Sequence, residues 1–574
     1  MAAAVQQEDG SDDLEIYTEI DQISSAMGEG TPLDRTIDKI GMGGYQYTLL
    51  ALCGLGWAAD NMWLQAVAIA LPRVQVSFSV PSTSIGYLSA TTFLGMMVGA
   101  LLWGTLSDIL GRVLVFKFTL SFTAFFGFLA VYVDTFPALC FANFLLGTAV
   151  GGSMPTDGTF ALETLPKRKR HLLTSLSIFF SLGSVIAAVS ALFVIPGNSC
   201  QNTHVPSAPP CDIHKDNNGW KYLFFLLSVI TVVMCLARIF FMNLHESPRF
   251  LVHNGRKDEA ASVLSKIAKF NGNEFHVILA DVDDDHEEAG ADVAPIRRST
   301  SQYERVADGE EGRGPLRSPS RSRTVPQSNS ASLRSTSLLM LIRRWIGVPI
   351  KAWYMRISGL LSGEWRNRTL LIWGIWMNMA LAYTIFNVFL PTLLEYRSKP
   401  VPENHGSRRA EVQSSLTSPL WEIVIFTLGG CPGSLLGAYL VDGAPRWNLS
   451  KSIVLALVTL VTSASCLAFV LVSGYFPVIL TTVAMSLSST TMWSILYGMT
   501  PELFVTEVRG TASGTASALS RVGGIIAPIL GGFLVDINPS LVILASVFGF
   551  CICAALLFLL HWSVTTPSRV ENEY

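Results

Sequence analysis

The strongest constraint on this chain is a series of apolar runs, each long enough to cross a bilayer, that comes in two sets of six. A spanning helix needs about 20 predominantly apolar residues to cross a hydrocarbon core of about 30 Å. Such runs occupy 46–73, 84–107, 113–133, 137–160, 172–195 and 220–242, and then 366–391, 418–441, 451–473, 476–499, 512–535 and 538–562. Backbone polar groups have no water to bond in lipid, so runs of this length form helices. The sequence therefore predicts an all-α membrane protein of twelve transmembrane helices. Composition agrees. Only 14% of the 574 residues are charged, against about 25% in soluble proteins, and mean hydropathy is +0.43. A net charge of −3 gives no reason to expect a nucleic-acid partner.

The polar segments set the domain plan and the sidedness. Residues 1–45 make an acidic tail (Glu8, Asp9, Asp12, Asp13, Glu15, Glu19, Asp21) without the basic and apolar regions of a cleavable signal peptide. Residues 243–365 form a central loop, with acidic Asp281–Glu288 followed by an Arg/Ser-rich stretch from Arg297 to Arg323. The middle of that loop is too polar to bury a core and reads as disordered. Its Ser-rich basic tracts are candidate targets for a kinase. Arg112, Lys117, Lys167–Arg170, Arg446, Lys451 and Arg509 fall in short loops on one side. Positive charge concentrates in cytoplasmic loops, which places both termini, the short tail 563–574 and the central loop inside. The loop with Arg397, Lys399, Arg408 and Arg409 runs against this rule. Cys200 and Cys211 share a polar loop on the opposite side, where an oxidising compartment would join them in a disulfide. The other seven cysteines lie in apolar runs without metal-ligand spacing. No metal, cofactor, phosphate loop or catalytic triad is expected, and no enzymatic activity.

Internal duplication turns twelve helices into two halves. Gly99-Ala-Leu-Leu-Trp-Gly-Thr-Leu-Ser-Asp108-Ile-Leu-Gly-Arg112 recurs as Gly433-Ser-Leu-Leu-Gly-Ala-Tyr-Leu-Val-Asp442-Gly-Ala-Pro-Arg446, 334 residues later. Glu163-Thr-Leu-Pro-Lys-Arg-Lys-Arg170 is answered by Glu502-Leu-Phe-Val-Thr-Glu-Val-Arg509 at an offset of 339. Residues 46–242 and 366–562 are thus two six-helix pseudo-repeats, an arrangement that places a transport site at their interface. Carboxylates and arginines in these loops can form strong, directional bonds across the gap between halves. Asp108, Gly111, Arg112, Glu163, Arg170, Asp442, Arg446, Glu502 and Arg509 are therefore the expected cytoplasmic gate, with Gly111 permitting close backbone approach.

Ionisable residues inside the spans are the candidates for chemistry, because charge at membrane depth is costly and faces a cavity, a partner or an ion path. Asp60 lies about 21 Å along the first helix. Asp157 precedes Glu163 by about 9 Å of helix rise, and Pro155 and Gly158 beside it could open backbone groups into a wet cavity. Arg521 is read as the one strongly basic residue well inside a span. It can pair with a carboxylate or hold an anionic substrate. Asn61, Gln65, Asn378, Tyr383 and Asn387 can bond a solute or tie helices together.

These motifs also carry a family resemblance. Gly104-x-x-x-Asp108-x-x-Gly111-Arg112 resembles the loop 2–3 signature of the major facilitator superfamily. Glu163-x-x-Pro166-x-x-x-Arg170 and Glu246-Ser-Pro-Arg249-Phe-Leu251 resemble sugar-porter-type signatures. The run from Tyr497 through Pro501-Glu502-Leu503 to Arg509-Gly510, with Ser517-x-x-x-Arg521-x-Gly523, is similar to the synaptic-vesicle-protein-like and organic-ion branches. Gly152-Ser-Met-Pro-Thr-Asp157-Gly is similar to fungal members of that kind. The chain departs from hexose porters in having Trp376-Met-Asn378-Met-Ala-Leu-Ala-Tyr383 in place of a Gln-Gln motif, and Tyr497 in place of a Trp. It departs from proton–phosphate members in having Ser153 in place of an Asp, and Pro445 replaces the second motif's Gly. The resemblance implies a secondary transporter of a small polar or charged solute, coupled to protons, working in a plasma membrane or in a vacuolar or other internal one. A uniporter, or a non-transporting sensor or trafficking protein on the same fold, are the alternatives.

Overall fold

The computed structural model describes residues 31–169, 172–200, 211–241, 244–273, 277–282, 357–361, 365–397, 417–443, 449–504 and 506–565. The described residues form helices joined by short turns. The first half contains α1 (Pro32–Ile40), α2 (Gly44–Phe78), α3 (Tyr87–Leu110), α4 (Arg112–Val131), α5 (Phe136–Thr164), α6 (Ser177–Val194), α7 (Gly219–Phe240), α8 (Pro248–His253) and α9 (Lys257–Phe270). The second contains α10 (Trp365–Arg397), α11 (Thr417–Gly443), α12 (Lys451–Leu471), α13 (Tyr475–Met499), α14 (Thr506–Ile537) and α15 (Pro539–Thr565). Among the described residues, eleven helices are long and apolar enough to cross a membrane. The twelfth spanning helix is α2, which falls short on composition because Gln46, Asp60, Gln65 and Arg73 interrupt it. All four of those side chains are buried, so α2 is an interior helix shielded from lipid by its neighbours.

The two halves pack alike. In the first, α3 lies on α5, α4 on both α5 and α7, and α2 on α6; in the second, α11 lies on α13, and α10 on α14 and α15. Between halves, α6 meets α11, α3 meets α14, and α2 meets α10. That set maps onto itself when the halves are exchanged, as a repeat requires. Small residues make the closest contacts. Gly95 and Gly99 of α3 press on the carbonyls of Phe144 and Thr148 in α5, while Gly147 and Gly151 of α5 press on Thr92 and Met96 of α3. In the second half Gly433 and Gly437 of α11 meet Leu487, Thr490, Thr491 and Ser494 of α13. Van der Waals packing through small residues is what holds helices together where lipid removes the hydrophobic driving force.

Some polar segments expected to lie outside the helices fold against one face, here termed the motif face. α1 buries Leu33, Thr36, Ile37 and Ile40, and α9 buries Ala260, Val263, Leu264, Ile267 and Ala268. These spacings give each helix one apolar stripe, and both stripes join Tyr45, Leu49, Phe160, Phe250 and Leu251 in a second core. Asp34 of α1 is held by Lys167 at 2.8 Å and by Arg249. The Arg/Ser-rich stretch 297–323 lies outside the described residues.

On the opposite face Cys200 is bonded to Cys211, with 5.9 Å between their Cα atoms. Arg397, one of the basic residues that ran against the sidedness rule, has a local use there. Its guanidinium donates to the carbonyls of Phe469 and Val470 at the end of α12 and sits 4.2 Å over the Phe469 ring. A cation is favoured where a helix presents its unpaired carbonyls. Lys399, Arg408 and Arg409 lie outside the described residues.

The glycine packing gives a direct test. A Gly147→Leu side chain would enter the space held by the backbone of Thr92, and overpacking of this kind costs about 1–3 kcal/mol. Purified Gly147→Leu protein in detergent should unfold at a lower temperature than the parent, whereas Gly104→Leu, where a Cβ meets open space, should leave the transition in place.

Candidate functional site

Two groups of charged side chains occupy the first half, one inside the helix bundle and one at the motif face. The inner group gathers around Arg238, near the end of α7. This residue has no exposed surface. Its Nη2 is ion-paired with Asp157 of α5, Nε donates to the Leu52 carbonyl at 3.2 Å, and Nη1 donates to the Phe116 carbonyl at 2.8 Å. The guanidinium also stacks 3.8 Å over the Phe116 ring. Gly56 of α2 supplies the room, since a Cβ there would collide with both Arg238 and Asp157. α5 stays helical through Pro155, which lacks the N–H for the carbonyl one turn back, and the Thr159 hydroxyl donates to the Pro155 carbonyl at 2.8 Å.

Asp60 lies one helical turn beyond Gly56 and is 2% exposed. It is within electrostatic reach of Asp157 and Arg238 in its own half and of Arg521 in the other. One oxygen of Asp60 and one of Asp157 are buried without a hydrogen-bond partner among the described residues. Arg521, on α14, donates from Nη1 to Ser517 Oγ at 3.1 Å on its own helix, and its buried Nε has no partner among the described residues. Asp60 is thus within electrostatic reach of one carboxylate and two guanidiniums, and of these groups Asp157 and Arg238 are joined to each other.

The neutral candidates divide into two kinds. Asn61 donates to the Phe180 carbonyl at 2.7 Å and to Ser184 Oγ at 2.5 Å, and so ties α2 to α6. Asn378 ties α10 to α15 through the Gly549 carbonyl at 2.7 Å and Cys553 Sγ at 3.2 Å. Both amides are spent on packing. Gln65 Nε2 and Asn387 Oδ1, in contrast, are buried without partners among the described residues. Tyr383 belongs to an aromatic wall, its ring 5.9 Å from Trp493, which in turn meets Trp376 at 6.1 Å and Tyr497 at 5.9 Å. Tyr497 keeps 44% of its surface open although Arg521 is close enough to act on it electrostatically.

Among the described residues of the motif face, the charges pair within each half. Arg112 Nε and Nη2 donate to the two oxygens of Glu163 at 3.2 and 3.0 Å, and Nη1 donates to Asp108 at 2.5 Å and to Ser107 Oγ at 3.0 Å. The expected cross-half gate is therefore an intra-half clamp in this conformation. The reason is geometric: Asp108 is one turn before Arg112, and α5 delivers Glu163 to the same corner. Gly111 turns the chain with φ of 98°, in the region that favours glycine, and the Glu246 carboxylate occupies the place of its missing Cβ. From there Glu246 accepts from the Arg112 backbone N–H at 2.7 Å and the Val113 N–H at 3.3 Å, satisfying orphan donors at the start of α4. In the second half Glu502 pairs with Lys451. Arg170 and Arg446 lie outside the described residues, as do the side chains of Asp442 and Arg509.

Sequence reasoning placed Arg521 alone among interior cations, and the structure corrects this. Arg238 and Arg73, both in spanning helices, are at most 1% exposed. Each sits within about five residues of a predicted span end, where a basic side chain reads as a membrane-surface anchor. For Arg238 the recoverable signal was depth. It and Asp157 lie four and three residues from the same-side ends of the apolar runs 220–242 and 137–160, where a carboxylate and a guanidinium at similar depth can meet. Glu246, Lys451 and the tryptophans of the aromatic wall were also missed as functional residues.

Comparison with known proteins agrees with this architecture. Residues 45–306 match the family "Sugar (and other) transporter", and residues 372–573 match "Major Facilitator Superfamily". The chain is 29% identical to a protein of Ceriporiopsis subvermispora named MFS siderochrome iron transporter 1, over 86% of this chain and 83% of that one. It is 25% identical to the synaptic vesicle 2-related protein of Bos taurus, over 91% of this chain and 79% of that one. Among solved structures, the xylose transporter XylE from E. coli in a partially occluded inward open conformation superposes with a TM-score of 0.59 at 13% identity, covering 91% of this chain and 98% of that one. With one family match on each half, relatives along nearly its whole length and the twelve-helix fold of two repeats, the chain belongs to the major facilitator superfamily of membrane transporters, with a sugar-porter-like architecture.

Proposed function

We propose that this transporter moves a small polar or charged organic solute by alternating access, and that uptake or release of a proton at Asp60 is coupled to the movement. The observation that carries the proposal is the mismatch inside the bundle. Arg238 is fully engaged by Asp157 and two carbonyls, whereas Asp60 has a buried oxygen with no partner among the described residues. An ionised Asp60 draws on Arg521 across the interface between halves; a protonated one releases it. Gain or loss of one proton therefore changes the attraction between the two halves, which is what coupling to a rocking motion requires. Solute groups can satisfy the free polar atoms of Gln65, Asn387 and Arg521 between the halves. The unmatched carboxylate and guanidinium support a charged or zwitterionic solute over a neutral sugar. Asp157, by contrast, anchors the buried pair.

Two predictions separate these roles. In liposomes with an imposed pH gradient, uptake across a panel of organic cations, anions, zwitterions and hexoses should be driven by the gradient for at least one class. Asp60→Asn should lower that gradient-driven uptake by about tenfold or more while leaving solute-for-solute exchange measurable. Gradient-insensitive uptake would indicate a uniporter, and an unaltered Asp60→Asn would remove the coupling role. Second, Arg238→Met leaves Asp157 buried and unpaired, a loss that costs roughly 3–5 kcal/mol. It should lower the unfolding temperature in detergent, and the double variant Arg238→Met/Asp157→Asn should recover much of that loss. A double variant no more stable than the single one would show that the two residues act separately.

A further inference from the structure

Among the described residues of the face that carries the disulfide, one ion pair joins the two halves. Arg73, near the end of α2, pairs through Nη2 with Glu395, near the end of α10 and 322 positions away in the chain. Arg73 is 1% exposed. Its Nη1 donates to the carbonyl of Cys200 at 3.0 Å. Its own backbone carbonyl accepts from Asn217 Nδ2 at 3.0 Å, and the same Nδ2 donates to Ser77 Oγ at 2.8 Å. Cys200 is one end of the Cys200–Cys211 bond, and Asn217 follows the other end by six residues. The guanidinium is thus held on one side by the disulfide loop of its own half and on the other by a carboxylate of the opposite half.

We infer that Arg73, Glu395 and the Cys200 carbonyl form the latch that keeps the two halves together at the disulfide face, with the disulfide loop as its brace. The inference rests on the alternating-access reading of this fold. A buried guanidinium separated from its carboxylate is strongly disfavoured until water reaches it, so opening this face must break the pair and hydrate Arg73. The neighbouring contacts have the same polarity. Gly86 lies against the Pro528 carbonyl of α14, and Gly532 of α14 lies against the Ser82 carbonyl. Each latch residue also follows a proline within its helix, Pro72 directly before Arg73 and Pro391 four residues before Glu395. Proline lacks the backbone N–H that would bond the carbonyl one turn back, so fewer main-chain bonds hold each latch residue's turn in place as the helix ends part. The brace matters because it presents the Cys200 carbonyl. Without the covalent ring, that carbonyl is no longer held on the guanidinium and Arg73 is freer to leave Glu395.

The test reads exposure and needs no solute. Asn387 lies eight residues before Glu395, about 12 Å deeper along α10. Asn387→Cys in full-length protein in liposomes is labelled with a charged, membrane-impermeant maleimide added on the disulfide side, and the labelling of protein without this cysteine is subtracted. Glu395→Gln should raise the labelling rate by about tenfold, within the range usual for conformational coupling. Arg73→Gln/Glu395→Gln, which leaves no lone buried charge, should do the same and covers a failure of the single variant to fold. Cys200→Ser/Cys211→Ser, which adds no thiol, should raise the rate by a smaller factor. Unchanged labelling in the double-glutamine variant overturns the latch, and unchanged labelling in the serine variant overturns the brace. If labelling responds but no solute is taken up, the latch stands and the transport reading falls.

Discussion

An arginine with no exposed surface, inside a helix bundle that lies in lipid, has to be neutralised by its immediate neighbours. Arg238 meets that requirement with one carboxylate, two main-chain carbonyls and an aromatic face, drawn from α2, α4 and α5. The demand for those partners fixes how four helices of the first half cross. It explains Gly56, whose absent side chain lets α2 come close enough, and it fixes the depth of Asp157. With Arg238 satisfied in this way, Asp60 one turn away is left with an unmatched oxygen. The proton site proposed for the bundle is thus a by-product of a structural one.

The same logic of pairing is used differently at the two faces. At the motif face Arg112 spends its donors on Asp108, Ser107 and Glu163 within its own half, and Glu502 is held by Lys451 within the other. These clusters keep each half rigid as a body. At the disulfide face Arg73 and Glu395 join the bodies to each other. Rigid halves with a breakable bond between them are what a rocking transition needs, because packed cores switch between arrangements instead of deforming smoothly.

Much of this was legible in the chain and some was not, for identifiable reasons. Spans were readable because the length of an apolar run is set by bilayer thickness, and the halves were readable because Gly99–Arg112 and Gly433–Arg446 keep their spacing. Asp60 and Asp157 were found because carboxylates at membrane depth are conspicuous. Arg238 was hidden by its nearness to a span end. At the expected gate, spacing shows which groups share a corner but not which acceptor each donor takes: among the described residues Arg112 takes Asp108 and Glu163 of its own half. α1 and α9 were passed over because their regions looked merely charged, although Leu33, Ile37 and Ile40, and Ala260, Leu264, Ile267 and Ala268, lie at helical spacing. The Arg73–Glu395 contact joins residues 322 positions apart, and no local pattern announces it.

One consequence of the length of α2 ties these parts together. At 35 residues, or about 52 Å, it spans more than the hydrocarbon layer without a break. Near its start the Tyr45 backbone N–H is held by Asn271, just after α9; near its middle stands Asp60; near its far end stands Arg73. α2 is therefore a beam with the proposed proton site at its middle and a fastening at each end. A tilt of about 5° around the middle of such a beam moves its tips by roughly 2 Å in opposite directions. That is enough to break a hydrogen bond at one membrane surface while tightening another on the far side. The reciprocity that alternating access demands, one side shutting as the other opens, is thus built into the stiffness of a single helix.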